Sequence, residues 1–266
     1  SAAVKSAAAG VTTGVGYTPY ANAYLILILP HSIITVSIVT ALLPKLSNLV
    51  IDKKYQAVSD SMSLTMRLMG IFIIPAAILF LFFGEIIAKV LYFGIPADDA
   101  NYLGVTLSAF ALGLIPVSIN LVLLRGLNAF ENLKSQVFGN LIMNIISIVL
   151  SLIAAAYLEP KWVTVGLAAI FTVHYFIGAG ISFLLIKKHG VRIPILSLAA
   201  FYFKLIFIFV LSITPIWFAR NLDLGGNLIY LLLVLSTSAV IYLMLLKALK
   251  ITEVTTLMKV IKGRKE

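Results

Sequence analysis

The chain contains no cysteine, which excludes disulfides, thiolate metal sites and a cysteine nucleophile. Charge is scarce: only 11% of the 266 residues are charged, against about 25% in soluble domains. Acidic residues are scarcer still, ten against twenty Lys and Arg. The three histidines, His31, His174 and His189, lie in three different segments, and no HExxH motif, phosphate-binding glycine loop or carboxylate cluster occurs. These absences argue against an enzyme and against any metal or cofactor site. Polar stretches long enough for a soluble domain are missing as well.

What fills the chain is apolar sequence. Seven stretches are each long enough to cross a bilayer: Asn22–Leu43, Leu68–Phe93, Tyr102–Leu124, Val137–Leu158, Trp162–Ile186, Leu198–Ala219 and Leu228–Leu246. A spanning helix needs about 20 apolar residues. Hydrocarbon admits only helices or closed barrels, because every backbone polar group must be satisfied internally. The runs are too long, and alternate too little, for barrel strands. The expected fold class is an all-α polytopic transmembrane bundle of about seven spans.

The basic residues set an orientation. Fifteen of them fall in the gaps after the first, third and fifth spans and in the C-terminal tail, from Lys45 to Lys265. The opposite gaps hold Lys5, Lys89, Lys161 and Arg220, and Lys204 lies inside a span. The positive-inside rule then places the N-terminus outside and the C-terminus in the cytoplasm. The net charge of +10 is thus read as membrane topology and not as a nucleic-acid surface. The chain divides into 1–21 (the end of a preceding helix and an external loop), 22–190 (five spans), 191–250 (two further spans) and 251–266 (a basic cytoplasmic tail). An Ala/Gly/Ser/Thr-rich start with no signal peptide reads as a fragment of a longer protein.

Polar residues within the spans are few. Gln136, Asn140, Asn144, Ser147 and Ser151 recur at helical spacing and form one stripe on the fourth span. In lipid such a stripe must face protein or water. It reads either as the wall of a wet cavity or as interhelical hydrogen bonding worth about 0.6 kcal/mol per pair. His31, Ser32 and Thr35 form a second patch just after Pro30, readable as cavity wall or as packing. His174 sits mid-span beside Tyr175. Arg125, at the inner end of the third span, is a forked donor suited to phosphate, and equally an ordinary positive-inside arginine. Glu85 and Lys89 are spaced for a local ion pair. Pro30, Pro75, Pro116 and Pro215 suggest bends, and Gly178 and Gly180 suggest a close helix approach.

The string Leu29-Pro30-His31-Ser32-Ile33-Ile34-Thr35-Val36-Ser37-Ile38-Val39-Thr40-Ala41-Leu42-Leu43-Pro44-Lys45-Leu46-Ser47 resembles a hallmark helix of the MurJ/MviN lipid II flippase family. Ile74-Pro75, then Phe83 to Gly94, and the connector Arg125 to Lys134 are similar to two later family segments. The likeness covers about residues 15–190, and the last two spans match mainly by position. His31 after the proline resembles actinobacterial members. The family's fourteen-helix plan would make these seven spans its second half, which agrees with the charge-derived orientation. Many members carry an arginine five residues before the first proline; here that position is Leu25.

The resemblance implies a multi-pass protein of the bacterial plasma membrane. It would move lipid-linked peptidoglycan precursor outward by alternating access. Its partners would be a lipid-linked sugar pyrophosphate, membrane lipids and the missing N-terminal lobe, with no nucleic acid. His31, Ser32, Thr35, Asn140, Asn144, Ser147, Ser151 and Arg125 become candidate cavity residues. Phe201, Phe207 and Tyr230 become candidate walls of a groove for the lipid tail. Another exporter of the same superfamily, or a non-transporting scaffold, would also fit the composition.

Orientation is testable directly, since the chain has no cysteine of its own. Single cysteines at positions 53 and 98, treated with an impermeant thiol reagent on intact cells, should label at 98 and not at 53. The reverse pattern would overturn the orientation.

Overall fold

Each apolar run becomes a helix, because only intra-segment hydrogen bonds satisfy its backbone in hydrocarbon. The computed structural model describes residues 16–219, 227–249 and 251–253, without the side chains of 215–219, 227–231 and 234. Helix α1 (Tyr17–Pro30) passes through a π-helical turn (His31–Val36) into α2 (Ser37–Ile51). Then follow α3 (Tyr55–Leu91), α4 (Ala97–Ala111), α5 (Leu114–Ala129), α6 (Leu133–Tyr157), α7 (Pro160–Lys188), α8 (Ile195–Ala219) and α9 (Asn227–Ala248). Among the described residues there is no strand. The chain is an all-α polytopic bundle.

Among the described residues five helices are long and apolar enough to span singly, with α1 through α2 counted as one. The pair α4 and α5, bent by 41°, makes a sixth. The seventh expected segment lies on α9, whose described apolar part, Leu235–Ala248, is shorter. Helices overrun the apolar segments at their ends: α3 begins at Tyr55, well before Leu68.

Interruptions of the helical hydrogen bonding explain several otherwise isolated hydroxyls. Pro75 has no N–H to give the carbonyl of Ile71, four residues earlier. The Tyr242 hydroxyl on α9 donates to that carbonyl at 3.0 Å. Pro116 likewise disfavours a regular turn behind it, and the chain breaks at Leu112–Gly113 between α4 and α5. Gly113 N–H turns to Phe110 O, and Thr172 Oγ1 on α7 donates to the Ala109 carbonyl at 3.1 Å. A third interruption has no proline. Phe83 departs from helical geometry (φ −118°, ψ 16°) within α3. There Ser108 Oγ on α4 lies 2.9 Å from Leu81 O, 3.0 Å from Gly104 O and 3.3 Å from Phe80 O. Pro30 precedes the π-helical turn, whereas α8 stays helical through Pro215.

Helix α3 is the axis of the bundle and packs against α2, α4, α5, α8 and α9. Met62, Met66, Met69, Ile73 and Ile74 from α3 are fully enclosed with Leu103, Leu107 and Phe110 from α4 and Leu114 and Leu123 from α5. The tightest approach is backbone to backbone. A Cβ on Gly84 would lie 2.7 Å from Gly104 O, and one on Gly104 would lie 2.5 Å from Glu85 N. Of the two glycines expected to mark a close approach, Gly178 does, with Met143 lying across it. Gly180 does not: it faces open space, one position off the seam.

The connectors gather at the two ends. At one end the Tyr55, Phe130 and His189 rings stack in series, 5.9 and 4.5 Å apart. Asn132 Nδ2 bonds His189 Nε2 at 2.8 Å, and Ser59 donates to Arg192 O. Nearby, Arg67 pairs with Glu253 at 2.9 Å, donates to Ser197 and lies over the Phe201 ring. Burial works to raise the Glu253 carboxyl, but hydrogen bonds from Arg67 and Thr252 outweigh it and hold the group below the usual carboxylate range. This end carries the basic connectors. The other end holds two local ion pairs, Lys89–Glu85 and Lys161–Glu159. Lys204 is exposed on α8.

Gly104→Ala should destabilise the protein by about 1–3 kcal/mol, since backbone must move to admit the methyl group. Gly180→Ala, whose methyl group meets open space, should keep the midpoint or raise it slightly, since Ala favours helix over Gly. Thermal melts of the two variants in detergent test the contrast; equal midpoints would remove the close-approach reading.

Candidate functional site

The sequence stripe on α6 resolves into parts with different partners. Helix α6 buries only a thin seam, Gly139, Met143 and Ala154, against α7. The stripe is rotated away from that seam. At its start, Gln136 Nε2 donates to Asn128 Oδ1 at 2.7 Å and fastens the preceding connector. Asn140 and Asn144 are exposed, and neither has a hydrogen-bond partner among the described residues. Ser147 Oγ lies 2.7 Å from His174 Nδ1 on α7.

From Ser147 onward the stripe enters a cleft of about 260 Å³ between α1, α6 and α7. Ser147, Ser151, His174, Tyr20 and Tyr175 line it with Phe171. At about 30 Å³ per water the volume holds several waters. Its polar groups are hydroxyls and an imidazole, and no carboxylate, lysine or arginine lines it. Neutral donors and acceptors beside aromatic faces suit hydroxylated, uncharged groups such as sugars. Behind the cleft the rings of Tyr20, Phe110, Phe171 and Tyr175 contact in series at 5.1, 5.1 and 4.8 Å. Tyr24 joins them against Phe171 at 5.8 Å. These aromatics come from α1, α4 and α7, so no local spacing announced them.

The His31 patch divides. His31 and Thr35 are buried, and both contact the buried Ser118 of α5: His31 Nδ1 at 3.1 Å, and the Thr35 hydroxyl donating at 3.1 Å. Ser32 faces outward. In the π-turn, residues four apart lie nearly in line, so His31 and Thr35 reach one serine together. Here the packing role is occupied. A further pair missed in the sequence, Asn120 with Ser182 at 2.8 Å, joins α5 to α7 in the same way. Both Ser118 and Asn120 are single polar residues in apolar runs, with no pattern to flag them.

The remaining candidates lie apart from the cleft. Arg125 is half-buried at the end of α5, its Nε enclosed without a partner. Leu25 is 56% exposed on α1. Phe201 is buried beneath the Arg67 guanidinium, 5.3 Å from the ring centroid. Phe209 also turns inward, edge-on to Tyr242. Phe207 is exposed. Tyr230 sits on α9, but its side chain lies outside the described residues.

A family model described as lipid II flippase MurJ matches residues 1–236. The chain belongs to the MurJ lipid II flippase family. The resemblance read from Leu29–Ser47 is borne out, and the MurJ match also takes in α8, beyond the stretch where the sequence motifs were clear. A solved structure described as "Lipid II flippase MurJ, inward closed conformation" is similar at 20% identity with a TM-score of 0.69. The alignment covers 87% of this chain and 47% of that one, so the chain spans about half the length of that MurJ protein. At this identity the likeness shows the fold.

Ser147→Ala should destabilise by about 0.6–1.7 kcal/mol, the range for interhelical hydrogen bonds in membranes, because it removes the contact with His174. Ser151→Ala, which only lines the cleft, should leave the thermal midpoint unchanged. Identical melts for the two variants would show that the Ser147–His174 contact contributes nothing.

Proposed function

We propose that the chain forms one of two lobes of a flippase that carries lipid-linked peptidoglycan precursor outward across the bacterial plasma membrane. Family membership supports the class of activity. The observation that carries the reading is the open polar face of α6. Asn140 and Asn144 stand exposed on a helix whose other outward residues include Phe138, Leu141, Ile145, Ile148 and Leu152. Two bare amides have no reason to face hydrocarbon, where unsatisfied polar groups cost several kcal/mol each. They face water, substrate or the second lobe.

The face runs without interruption into the Ser147–His174 cleft. Together they form one wall of a wet path along which a sugar head group slides while its lipid tail stays in the bilayer. Alternating access needs an opposing wall that rocks against this one. The cations that hold the pyrophosphate belong to that opposing wall. Leu25 leaves this lobe without an arginine on α1, and the cleft has no cation of its own. The protein moves its substrate without making or breaking bonds.

In the intact protein, Asn140→Leu with Asn144→Leu should slow translocation of a labelled lipid-linked sugar pyrophosphate in proteoliposomes about ten-fold or more. Two exposed amides each lose about one hydrogen bond of roughly 1 kcal/mol. The thermal midpoint should not fall, because neither side chain is bonded within the lobe. Ile145→Leu with Ile148→Leu is the control. Wild-type transport by the double Asn variant would exclude this face from the path.

A further inference from the structure

A second groove lies at the basic end of the lobe, away from the cleft. It has a volume of about 440 Å³ and runs between α6 and α7. Lys134 and Lys188 stand at its mouth, and Phe138, Ile142, Ile181 and Leu184 form its walls. Its floor is the helix contact at Gly139, where a Cβ would come 3.1 Å from Ile181 Cγ2. Phe138 and Leu184, each 64% exposed, stand up as its rims.

From this we infer that the groove holds one anionic phospholipid of the surrounding membrane, its phosphate between Lys134 and Lys188 and an acyl chain between α6 and α7. Charge complementarity decides the occupant. Both lysines are exposed, and neither enters an ion pair among the described residues. The ion pairs described are made by Lys54, Arg67, Lys89 and Lys161 instead. The mouth therefore presents two free positive charges, with the Ser135 hydroxyl beside them. Lys134 and Ser135 also lie in the first turn of α6, where the helix dipole favours an anion.

The dimensions agree. Lys134 to Ile142 is eight residues, about 12 Å along a helix. That is most of one leaflet of a core about 30 Å thick. A head group at the mouth thus sits at the interface while the chain follows the wall into hydrocarbon. A soluble anion would use the lysines and leave the apolar walls bare. A protein helix would have to place acidic residues at the mouth and still fit a groove one chain wide. The inference does not depend on the transport reading, since none of these residues lines the cleft.

Native mass spectrometry of the intact protein in detergent tests it, with phosphatidylglycerol and phosphatidylcholine of equal chain length as probes. One phosphatidylglycerol should be retained about ten-fold more than phosphatidylcholine. Lys134→Gln with Lys188→Gln should abolish that preference, as expected when two lysines near a membrane surface are neutralised. Lys187→Gln, adjacent in sequence but off the groove, should keep it. Equal retention of the two lipids, or an unchanged preference in the double variant, would overturn the proposal. Stoichiometric displacement of phosphatidylglycerol by undecaprenyl pyrophosphate would also overturn it, by assigning the groove to the transported substrate. So would failure of the groove to retain any lipid, which would mean that another part of the protein covers it.

Discussion

An interrupted helix in hydrocarbon leaves a carbonyl that no water can reach, and this bundle is assembled around that constraint. Three interruptions of the helical hydrogen bonding are answered by three hydroxyls from neighbouring helices. Tyr242 serves the Ile71 carbonyl freed by Pro75, Thr172 serves Ala109 at the α4–α5 break, and Ser108 serves the turn before Phe83. Each bond ties two helices as well as satisfying one group: α9 to α3, α7 to α4, and α4 to α3. The Gly84–Gly104 approach then closes α3 on α4 at backbone distance. Interruption and bracing are thus the same feature.

That bracing leaves α6 at the margin. It touches little beyond α7, so most of its surface is free. One part of the free surface is polar and continues into the cleft. Another part, towards the basic end, forms an apolar groove with two lysines that enter no ion pair among the described residues. The helix with the least internal work thereby carries both surfaces that face outward to something chemically specific. The buried polar pairs, His31 and Thr35 with Ser118 and Asn120 with Ser182, do the opposite: they consume polar groups to fix α5 against its neighbours.

Much of this was legible in the sequence, for physical reasons. Long apolar runs leave no choice but helix, so every expected segment is helical, although Tyr102–Leu124 is divided between α4 and α5. The α6 stripe was visible because helical spacing alone determines which residues share a face. What decides between cavity wall and packing was not visible, because the partner lies on another helix: Ser147 found His174, whereas Asn140 and Asn144 found none. Pro75 and Pro116 announced interrupted hydrogen bonding but not its repair, and the Phe83 distortion had no proline to announce it. Phe201 read as a candidate wall of a lipid-tail groove, and nothing local in the sequence indicates that Arg67, over a hundred residues earlier, sits over its ring and contacts Ser197 and Glu253. Gly178 and Gly180 looked alike in sequence, yet only one lies on the seam with Met143.

The central claim is that the α6 stripe faces water within the membrane-embedded protein. The chain has no cysteine, so a cysteine scan from 140 to 152 in the intact protein can be read without background. A small, charged, water-soluble thiol reagent should modify positions 140, 144, 147 and 151 quickly. Positions 141, 145, 148 and 152 should react slowly or not at all. A reactivity pattern with helical period centred on the stripe is the expected result. Uniform protection across all eight positions, or faster reaction at the apolar set, would contradict it.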